Sequence, residues 1–248
     1  MLLAPAEQAL RARQRSALQE LEHTLVRMDA SEADTTTLRE SITVLDSLFL
    51  CCVLGEFNAG KSALLNALLG GNHCGEGVLP TTAALTLIKH PSVPFEPSHA
   101  QSEVEVLDIP RSWLRGLHLV DTPGTNSIED AHTALTQGFL PRADLVLFVT
   151  SAERPFSQSE QELLRAVADW RKPVLCVLNK ADLLDATQLH TVSEYVAAQA
   201  RRVLGSPSAV LAVSARATQQ LKARRAEHRA AEHRAGGQRA GAAQAEAG

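Results

Sequence analysis

The chain has 248 residues and a formal net charge of −4, which disfavours a basic nucleic-acid-binding protein and allows one large domain with appendages or two small domains. Hydrophobic residues make up 45% of the sequence but aromatic residues only 4%, so a sizeable core must be built mainly from Leu, Val and Ala. The four cysteines form no Cys-x-x-Cys pair, which favours a reducing cytoplasm over a disulfide framework or a zinc site. The amino terminus turns polar too early for a signal peptide, and the longest apolar run, residues 48–54, is too short to span a bilayer.

Apolar residues recur at helical spacing across residues 6–48, with a break or a cap predicted at residues 34–37. We assign residues 1–47 to an N-terminal helical arm. Two interpretations of this arm stay open at this point: its two helices could pack on the following domain, or they could need helices of a partner.

From residue 48 the pattern changes, because short apolar runs alternate with helical stretches. The predicted strands are 48–54, 85–89, 103–107, 117–121, 144–150, 174–179 and 209–214. The predicted helices are 62–69, 131–139, 157–170 and 189–203. This order predicts an α/β domain over residues 48–217, with a mostly parallel sheet covered on both faces. Residues 218–248, rich in Ala, Arg, Glu and Gly, are predicted to be a disordered low-complexity tail.

The pattern Gly55-x-x-x-x-Gly60-Lys61-Ser62 follows a predicted strand and opens a predicted helix, which is the context that a phosphate-binding P-loop requires. Glycines allow backbone N–H groups to close around phosphates, and the helix N-terminus adds positive partial charge. We expect Lys61 to reach the β- and γ-phosphates and Ser62 to ligate Mg²⁺. The predicted nucleotide-binding loop comprises Gly55, Glu56, Phe57, Asn58, Ala59, Gly60, Lys61, Ser62 and Ala63.

Two further motifs bear on the metal and the γ-phosphate. Asp121 ends a predicted strand and is followed by Gly124, so we expect Asp121 to hold Mg²⁺ through water and the Gly124 N–H to contact the γ-phosphate. A threonine pair before them, Thr81 and Thr82, predicts a switch threonine that binds Mg²⁺ and orders its loop only with a triphosphate. Thr82 is favoured, but either hydroxyl could act.

The segment Asn179-Lys180-Ala181-Asp182 follows another predicted strand and predicts the base specificity. The Asp182 carboxylate can accept hydrogen bonds from guanine N1–H and N2–H₂, a donor pair that adenine lacks. The Lys180 stem can cover the base, and we expect Asn179 to tie this loop to the P-loop. After the last predicted strand, a backbone N–H at Ser214-Ala215 can meet the guanine O6. The ordered set therefore predicts a three-layer P-loop NTPase G domain that binds GTP and GDP.

These residues resemble those of known GTPases. The ordered motifs resemble the translation-factor-like GTPases, and residues 55–70, 80–82 and 142–156 resemble more fully the bacterial dynamin-like, mitofusin and fuzzy-onions-like group. The resemblance covers residues 45–216 and the helical arm. It implies GTP hydrolysis coupled to self-association and membrane remodelling, with a long helical bundle and a lipid-binding tip after the GTPase domain. Low-complexity residues stand where that bundle would begin, so a truncated chain, a frameshifted product and a short paralogue are the alternatives.

The resemblance also frames the catalytic hypothesis. No glutamine follows Gly124, so water positioning as in Ras-like proteins is not expected. Where dynamins carry a P-loop glutamine and serine, this chain has Phe57 and Asn58. We hypothesise that Asn58 helps to hold K⁺, in a site completed when two domains pair across their nucleotides, and that Phe57 is a hydrophobic shield. Arg154 lies either at that pairing surface or in a solvated loop.

The resulting expectation is a GTPase that uses Mg²⁺, with Lys61, Ser62, Thr82, Asn58 and Gly124 as its catalytic set. It would lie in the cytoplasm or at the inner membrane face, as a homodimer or paired with a longer dynamin-like protein, without nucleic acid. One alternative is an Era-like RNA-associated GTPase, which the lack of a basic, aromatic-interleaved module disfavours. Another is a non-catalytic or weakly catalytic GTP-binding subunit that joins a longer partner through residues 6–48.

Overall fold

The computed structural model describes residues 5–46, 48–75, 85–94, 104–122 and 139–225. Two helices come first, α1 (Pro5–Arg27) and α2 (Glu32–Asp46), and Arg39 of α2 forms an ion pair with Glu22 of α1 at 2.7 Å.

The predicted break at residues 34–37 is wrong, because those residues lie inside α2 and the chain turns at residues 28–31. The Ser31 Oγ accepts from the Asp34 N–H at 3.2 Å, and the Ser31 carbonyl accepts from the Thr35 N–H at 3.2 Å. Ser31 therefore caps α2, which places the boundary ahead of the Asp-Thr-Thr-Thr run.

The described residues contain one seven-stranded sheet in the order β3-β2-β4-β1-β5-β6-β7. Its strands are β1 (Phe49–Leu54), β2 (Thr86–Lys89), β3 (Glu105–Asp108), β4 (Leu117–Asp121), β5 (Leu145–Ser151), β6 (Val174–Asn179) and β7 (Val210–Ala212). Only the β2–β4 pairing of this sheet is antiparallel. The predicted α/β fold with a mostly parallel sheet is confirmed.

Four helices accompany the sheet in the described residues: α3 (Lys61–Leu69), α4 (Gln158–Asp169), α5 (Ala186–Leu204) and α6 (residues 215–225). Helix α5 begins before the predicted residue 189, because Asp185 caps it by accepting from the Gln188 N–H at 2.8 Å. Of the predicted helix 131–139, residues 131–138 lie outside the described residues.

Helix α6 crosses the predicted start of a disordered tail at residue 218, and that boundary is wrong. Its Gln219 Nε2 donates to the Ala63 carbonyl of α3 at 3.0 Å, and its Lys222 Nζ donates to the Ala67 carbonyl. Composition alone suggested a tail here, whereas contacts with α3 stabilise a helix. Residues 226–248 lie outside the described residues.

Helices cover both faces of the sheet, as an alternation of side chains along β1 shows. Val53 packs in one apolar cluster with Leu65 of α3. The next residue, Leu54, packs in another with Leu164 of α4 and Val196 of α5. This three-layer arrangement leaves the strand ends as the exposed edges of the sheet. None of the helices in the described residues has the length and apolar character that a bilayer crossing requires.

Candidate active site

The loops that follow β1, β4, β5, β6 and β7 meet at one edge of the sheet, because these strands run parallel and end together. They carry the P-loop, Asp121, residues 151–157, residues 179–182 and Ser214-Ala215 in turn. The structure therefore brings together the predicted site residues that it describes.

Two glycines shape the P-loop at positions where a side chain would collide with a neighbouring strand. Gly55 has φ 150°, and a Cβ there would lie 2.1 Å from the Val149 carbonyl oxygen of β5. Gly60 has φ 86°, and a Cβ there would lie 2.3 Å from the Asn179 Nδ2. Between them Phe57–Ala59 form a single 3₁₀ turn, and α3 begins at once with Lys61. The loop thus lies directly against β5 and β6, and both positions require glycine.

Lys61 lies inside this loop, with 4% of its surface exposed. Its Nζ donates to the carbonyl oxygens of Gly55 at 2.8 Å and Glu56 at 3.0 Å. Burial lowers the pKa of the Lys61 ammonium to about 8, against the opposing charges of Asp121, Glu160 and Glu56. A phosphate would offer this buried cation full negative charges in place of two carbonyl dipoles.

Asp121 lies at the end of β4, beside the first turn of α3, and is 1% exposed. Burial raises the pKa of its carboxyl to about 6, opposed by the charge of Lys61 and by a hydrogen bond from Ser62. Its Oδ1 has no hydrogen-bond partner among the described residues. A buried carboxylate oxygen without a partner, next to a serine hydroxyl, fits the oxygen ligands that Mg²⁺ prefers.

Asn179 joins three loops through one side chain. Its Nδ2 donates to the carbonyl oxygens of Ala59 at 3.0 Å and Gly60 at 3.3 Å, and its Oδ1 accepts from the Ala215 N–H at 3.1 Å. The expectation that Asn179 ties its loop to the P-loop is confirmed. The amide also sets the distance between the P-loop and the loop after β7.

The residues after Asn179 turn outward from the sheet. Lys180 adopts a left-handed conformation with φ 61°, and the Ala181 N–H donates to the Val213 carbonyl at 3.0 Å. Asp182 is exposed in a 3₁₀ turn, Ala181–Leu183. Nearby, Ser214 caps α6, since its Oγ accepts from the Ala217 N–H at 3.1 Å.

Sequence reasoning missed several polar residues after β5. The Glu153 carboxylate pairs with Lys180, whose hydrogen bond and charge hold the pKa of Glu153 below its ordinary value. Glu160 of α4 is 1% exposed and accepts from the Thr150 Oγ1 at 2.8 Å. Burial raises the pKa of Glu160 to about 7.

Part of this arrangement can be predicted from the sequence. The Ser-x-x-Glu pattern of Ser157 and Glu160 is a capping-box signature, and both of its hydrogen bonds are present at the start of α4. The pattern predicts where α4 begins. It does not predict that Glu160 is buried or that the Glu56 carboxylate accepts from the hydroxyls of Ser157 and Ser159.

Some predicted site residues remain predictions. Thr81, Thr82, Gly124 and the side chain of Phe57 lie outside the described part of the structure. Asn58 is exposed in the P-loop turn, and Arg154 is exposed in the loop after β5.

Comparisons with known proteins place these features in a family. A model of the dynamin family matches residues 51–103 and 94–181, which together are more than half of the chain. A probable transmembrane FZO-like chloroplastic GTPase of Arabidopsis thaliana is 37% identical over 196 residues, which cover 76% of this chain and 21% of the plant protein. Dynamin-like protein 2 of Campylobacter jejuni is 28% identical over 193 residues, covering 68% of this chain and 32% of that protein.

The fold has a counterpart among solved structures. A chain of an oligomerised bacterial dynamin pair aligns with a TM-score of 0.58 and 19% identity, covering 87% of this chain and 40% of that one. This chain spans between a fifth and a third of the two curated relatives, so it corresponds to one part of each. The P-loop geometry, the sheet order and the matched family model agree: the chain belongs to the dynamin family and carries the GTPase head of a dynamin-like protein.

Proposed function

We propose that this head binds GTP through the edge of the sheet described above and hydrolyses it to GDP and phosphate. The observation that carries the proposal is the Asn179 side chain, which holds the P-loop and the loop after β7 at fixed separation. A P-loop and a loop after β7 that are joined by one buried amide would form a site for a whole nucleotide rather than for phosphate alone. Asp182 supplies the preference for guanine, since its exposed carboxylate can accept from N1–H and N2–H₂ together.

Ser62 and Asp121 are proposed to hold Mg²⁺, together with Thr81 or Thr82. When bound, the ion would offset the negative charge of the β- and γ-phosphates. Lys61 is proposed to bind oxygens of the same two phosphates. Its Nζ would then exchange the carbonyls of Gly55 and Glu56 for phosphate oxygens, which aligns the triphosphate along the start of α3. The Gly124 N–H is proposed to orient the γ-phosphate.

Catalysis is proposed to need a cation and a second domain. Asn58 is exposed in the P-loop turn, where its carbonyl oxygen is accessible to K⁺. Arg154 is exposed in the loop after β5, at the same edge of the sheet, where it can contribute to a pairing surface. Both positions favour a site completed across two nucleotide-binding faces, in a homodimer or with a longer dynamin-like partner.

The wider role is proposed from the relatives. The plant protein is described as a probable transmembrane GTPase, and the solved bacterial pair is described as oligomerised and as sensing and tethering membranes. We propose a role in membrane remodelling, with the chain in the cytoplasm or peripheral at the inner membrane face and without nucleic acid. The alternatives are a GTP-binding subunit with little catalysis and an Era-like GTPase on RNA.

GTP turnover measured over a range of protein concentrations, in K⁺ and in Na⁺ buffers, tests this function. We expect turnover per molecule to rise with concentration and to be faster in K⁺, and Asn58→Ala to abolish the difference between the cations. Turnover insensitive to both variables would reject the cation-and-partner mechanism. Tight GTP binding without turnover would favour the regulatory subunit, and co-purifying RNA would favour the Era-like role.

A further inference from the structure

Glu56 is an acidic residue inside an anion-binding loop. A carboxylate there repels phosphate unless its charge is directed elsewhere. Its backbone carbonyl accepts from the Lys61 Nζ at 3.0 Å, so this peptide unit faces the proposed phosphate site. Its side chain takes another direction, since Oε1 accepts from the hydroxyls of both Ser157 and Ser159.

The carboxylate of Glu56 thus lies at the N-terminus of α4. Ser157 is the N-cap of that helix, and its Oγ accepts from the Glu160 N–H at 3.1 Å while donating to Glu56. The partial positive charge of a helix N-terminus stabilises an anion, and charge-assisted hydrogen bonds are stronger than neutral ones. Glu56 therefore links the P-loop firmly to the start of α4.

The segment of residues 152–157, which leads into α4, is also attached to residues 179–182. The Ala152 N–H donates to the Asn179 carbonyl at 2.9 Å, and Glu153 pairs with Lys180. Arg154 is exposed between these attachments and the contact of Ser157 with Glu56. The segment 152–157 therefore contacts residues 179–182 at one end and, through Glu56, the P-loop at the other.

We propose that Glu56 is a positioning residue that transmits phosphate occupancy of the P-loop to segment 152–157. The inference rests on the proposed function, because a bound phosphate must draw the Lys61 Nζ from the Glu56 carbonyl. Once that bond is exchanged, the Glu56 peptide settles against the phosphate and its carboxylate holds the start of α4 in one position. Arg154 is then presented from a segment whose order depends on the nucleotide.

Hydrogen exchange of the backbone amides in segment 152–157 tests this role. Five amides of the segment have defined acceptors. The N–H groups of Ala152, Glu153 and Arg154 donate to the Asn179 carbonyl, the Ser151 Oγ and the Ser151 carbonyl. The Phe156 N–H donates to the Thr150 Oγ1, and the Ser157 N–H donates to the Glu160 carboxylate. In the native chain we expect saturating GDP or a non-hydrolysable GTP analogue to slow exchange of the segment roughly tenfold, since local opening sets these rates. In Glu56→Ala, at concentrations that saturate the variant, the slowing should fall to less than about twofold.

Three variants complete the experiment. Glu56→Gln should retain the slowing, because an amide oxygen also accepts from both serine hydroxyls, and this rescue distinguishes positioning from a general loss of packing. Ser159→Ala should reduce the slowing without further loss when combined with Glu56→Ala, and it carries the test if Glu56→Ala does not fold. Gln158→Ala, whose side chain bonds to Glu162 on the same helix, is the matched control and should behave as the native chain.

Equal slowing in Glu56→Ala and the native chain, or no slowing in a native chain that binds nucleotide, would overturn the role of Glu56. Failure of the native chain to bind either nucleotide would instead reject the proposed function. A binding titration by fluorescent GDP, run on the same samples, separates these two failures.

Discussion

At the scale of single residues, Asn179 is buried and Asp182 is exposed, so their alanine variants should have different defects. Asn179→Ala removes two donors to the P-loop and leaves the buried Ala215 N–H without its acceptor, so we expect the free energy of unfolding to fall by about 2–4 kcal/mol. Asp182→Ala is an exposed change that should alter stability by less than about 0.5 kcal/mol. It should nevertheless weaken GDP binding roughly 100-fold or more, because two hydrogen bonds to a carboxylate are lost.

Urea denaturation and a GDP titration of both variants make the comparison. A stable Asn179→Ala chain would show that the amide does not hold the loops. An Asp182→Ala chain with native GDP affinity would show that the carboxylate does not contact the base.

Glu160 gives a prediction about pH. Burial raises the pKa of this carboxyl from its ordinary 4.5 to about 7, so the folded chain keeps a proton that the unfolded chain has lost in that interval. The free energy of unfolding contributed by Glu160 therefore decreases as pH rises from about 4.5 to about 7. Glu160→Gln mimics the protonated group, so above about pH 7 it should be more stable than the native chain by up to about 3 kcal/mol.

Denaturation midpoints of the native and Glu160→Gln chains, followed from about pH 4.5 to about pH 8, check this. The difference between the two should grow with pH. Parallel profiles across this range would show that the folded chain does not retain the proton.

The roles of site residues could be predicted from the sequence where geometry allows only one residue type. Gly55 and Gly60 stand where a Cβ would collide with Val149 or Asn179, and few other sequences satisfy that geometry. The burial of Glu160 was not predictable, because it depends on how α4 packs against the end of β5, where Thr150 lies.

At the scale of elements, the P-loop requires Gly60 for two reasons: its backbone is left-handed, and the adjacent Asn179 of β6 leaves no room for a Cβ. Gly60 and Gly205 both have positive φ, at 86° and 70°, but a Cβ on Gly205 meets nothing within 4 Å. Gly205→Ala should therefore cost only about 1–2 kcal/mol, the penalty of the left-handed conformation. Gly60→Ala adds the collision with Asn179, so it should cost more than about 3 kcal/mol and abolish nucleotide binding.

Unfolding of both glycine variants in urea, with a GDP titration of whichever folds, separates conformation from contact. Equal losses of stability in the two variants would mean that the loop shifts to accommodate the extra carbon. The P-loop would then not be held rigidly against β6.

The elements themselves were predictable where hydrophobic pattern and capping agree. Strands β1, β5 and β6 are buried on both sides and read as continuous apolar runs. The α1–α2 boundary was misplaced because Ser31 and the following Asp34 are both good capping residues, and only the backbone shows which one acts. Helix α6 was missed because the carbonyls of α3 that bind Gln219 and Lys222 lie far away in the sequence.

At the scale of the whole molecule, the described domain has the order of strands and the edge of converging loops that a nucleotide head requires. The chain matches between a fifth and a third of the length of its two curated relatives. Membrane remodelling and pairing are therefore proposals and do not follow from the fold. The fold class and the family were predictable from the ordered motifs. The partner was not, because the proposed pairing would depend on surface side chains such as Arg154, whose role no motif identifies.

Release of inorganic phosphate shows whether this site hydrolyses GTP. The native chain and Lys61→Ala, each supplied with Mg²⁺ and K⁺, are given GTP or ATP at the same concentration. We predict phosphate release from GTP by the native chain, little from ATP, and loss of roughly 100-fold or more in Lys61→Ala, because this variant lacks the cation that is proposed to contact the transferred phosphoryl group. Equal release from ATP would show that the site does not select guanine, and undiminished release by Lys61→Ala would show that this P-loop is not the site of hydrolysis.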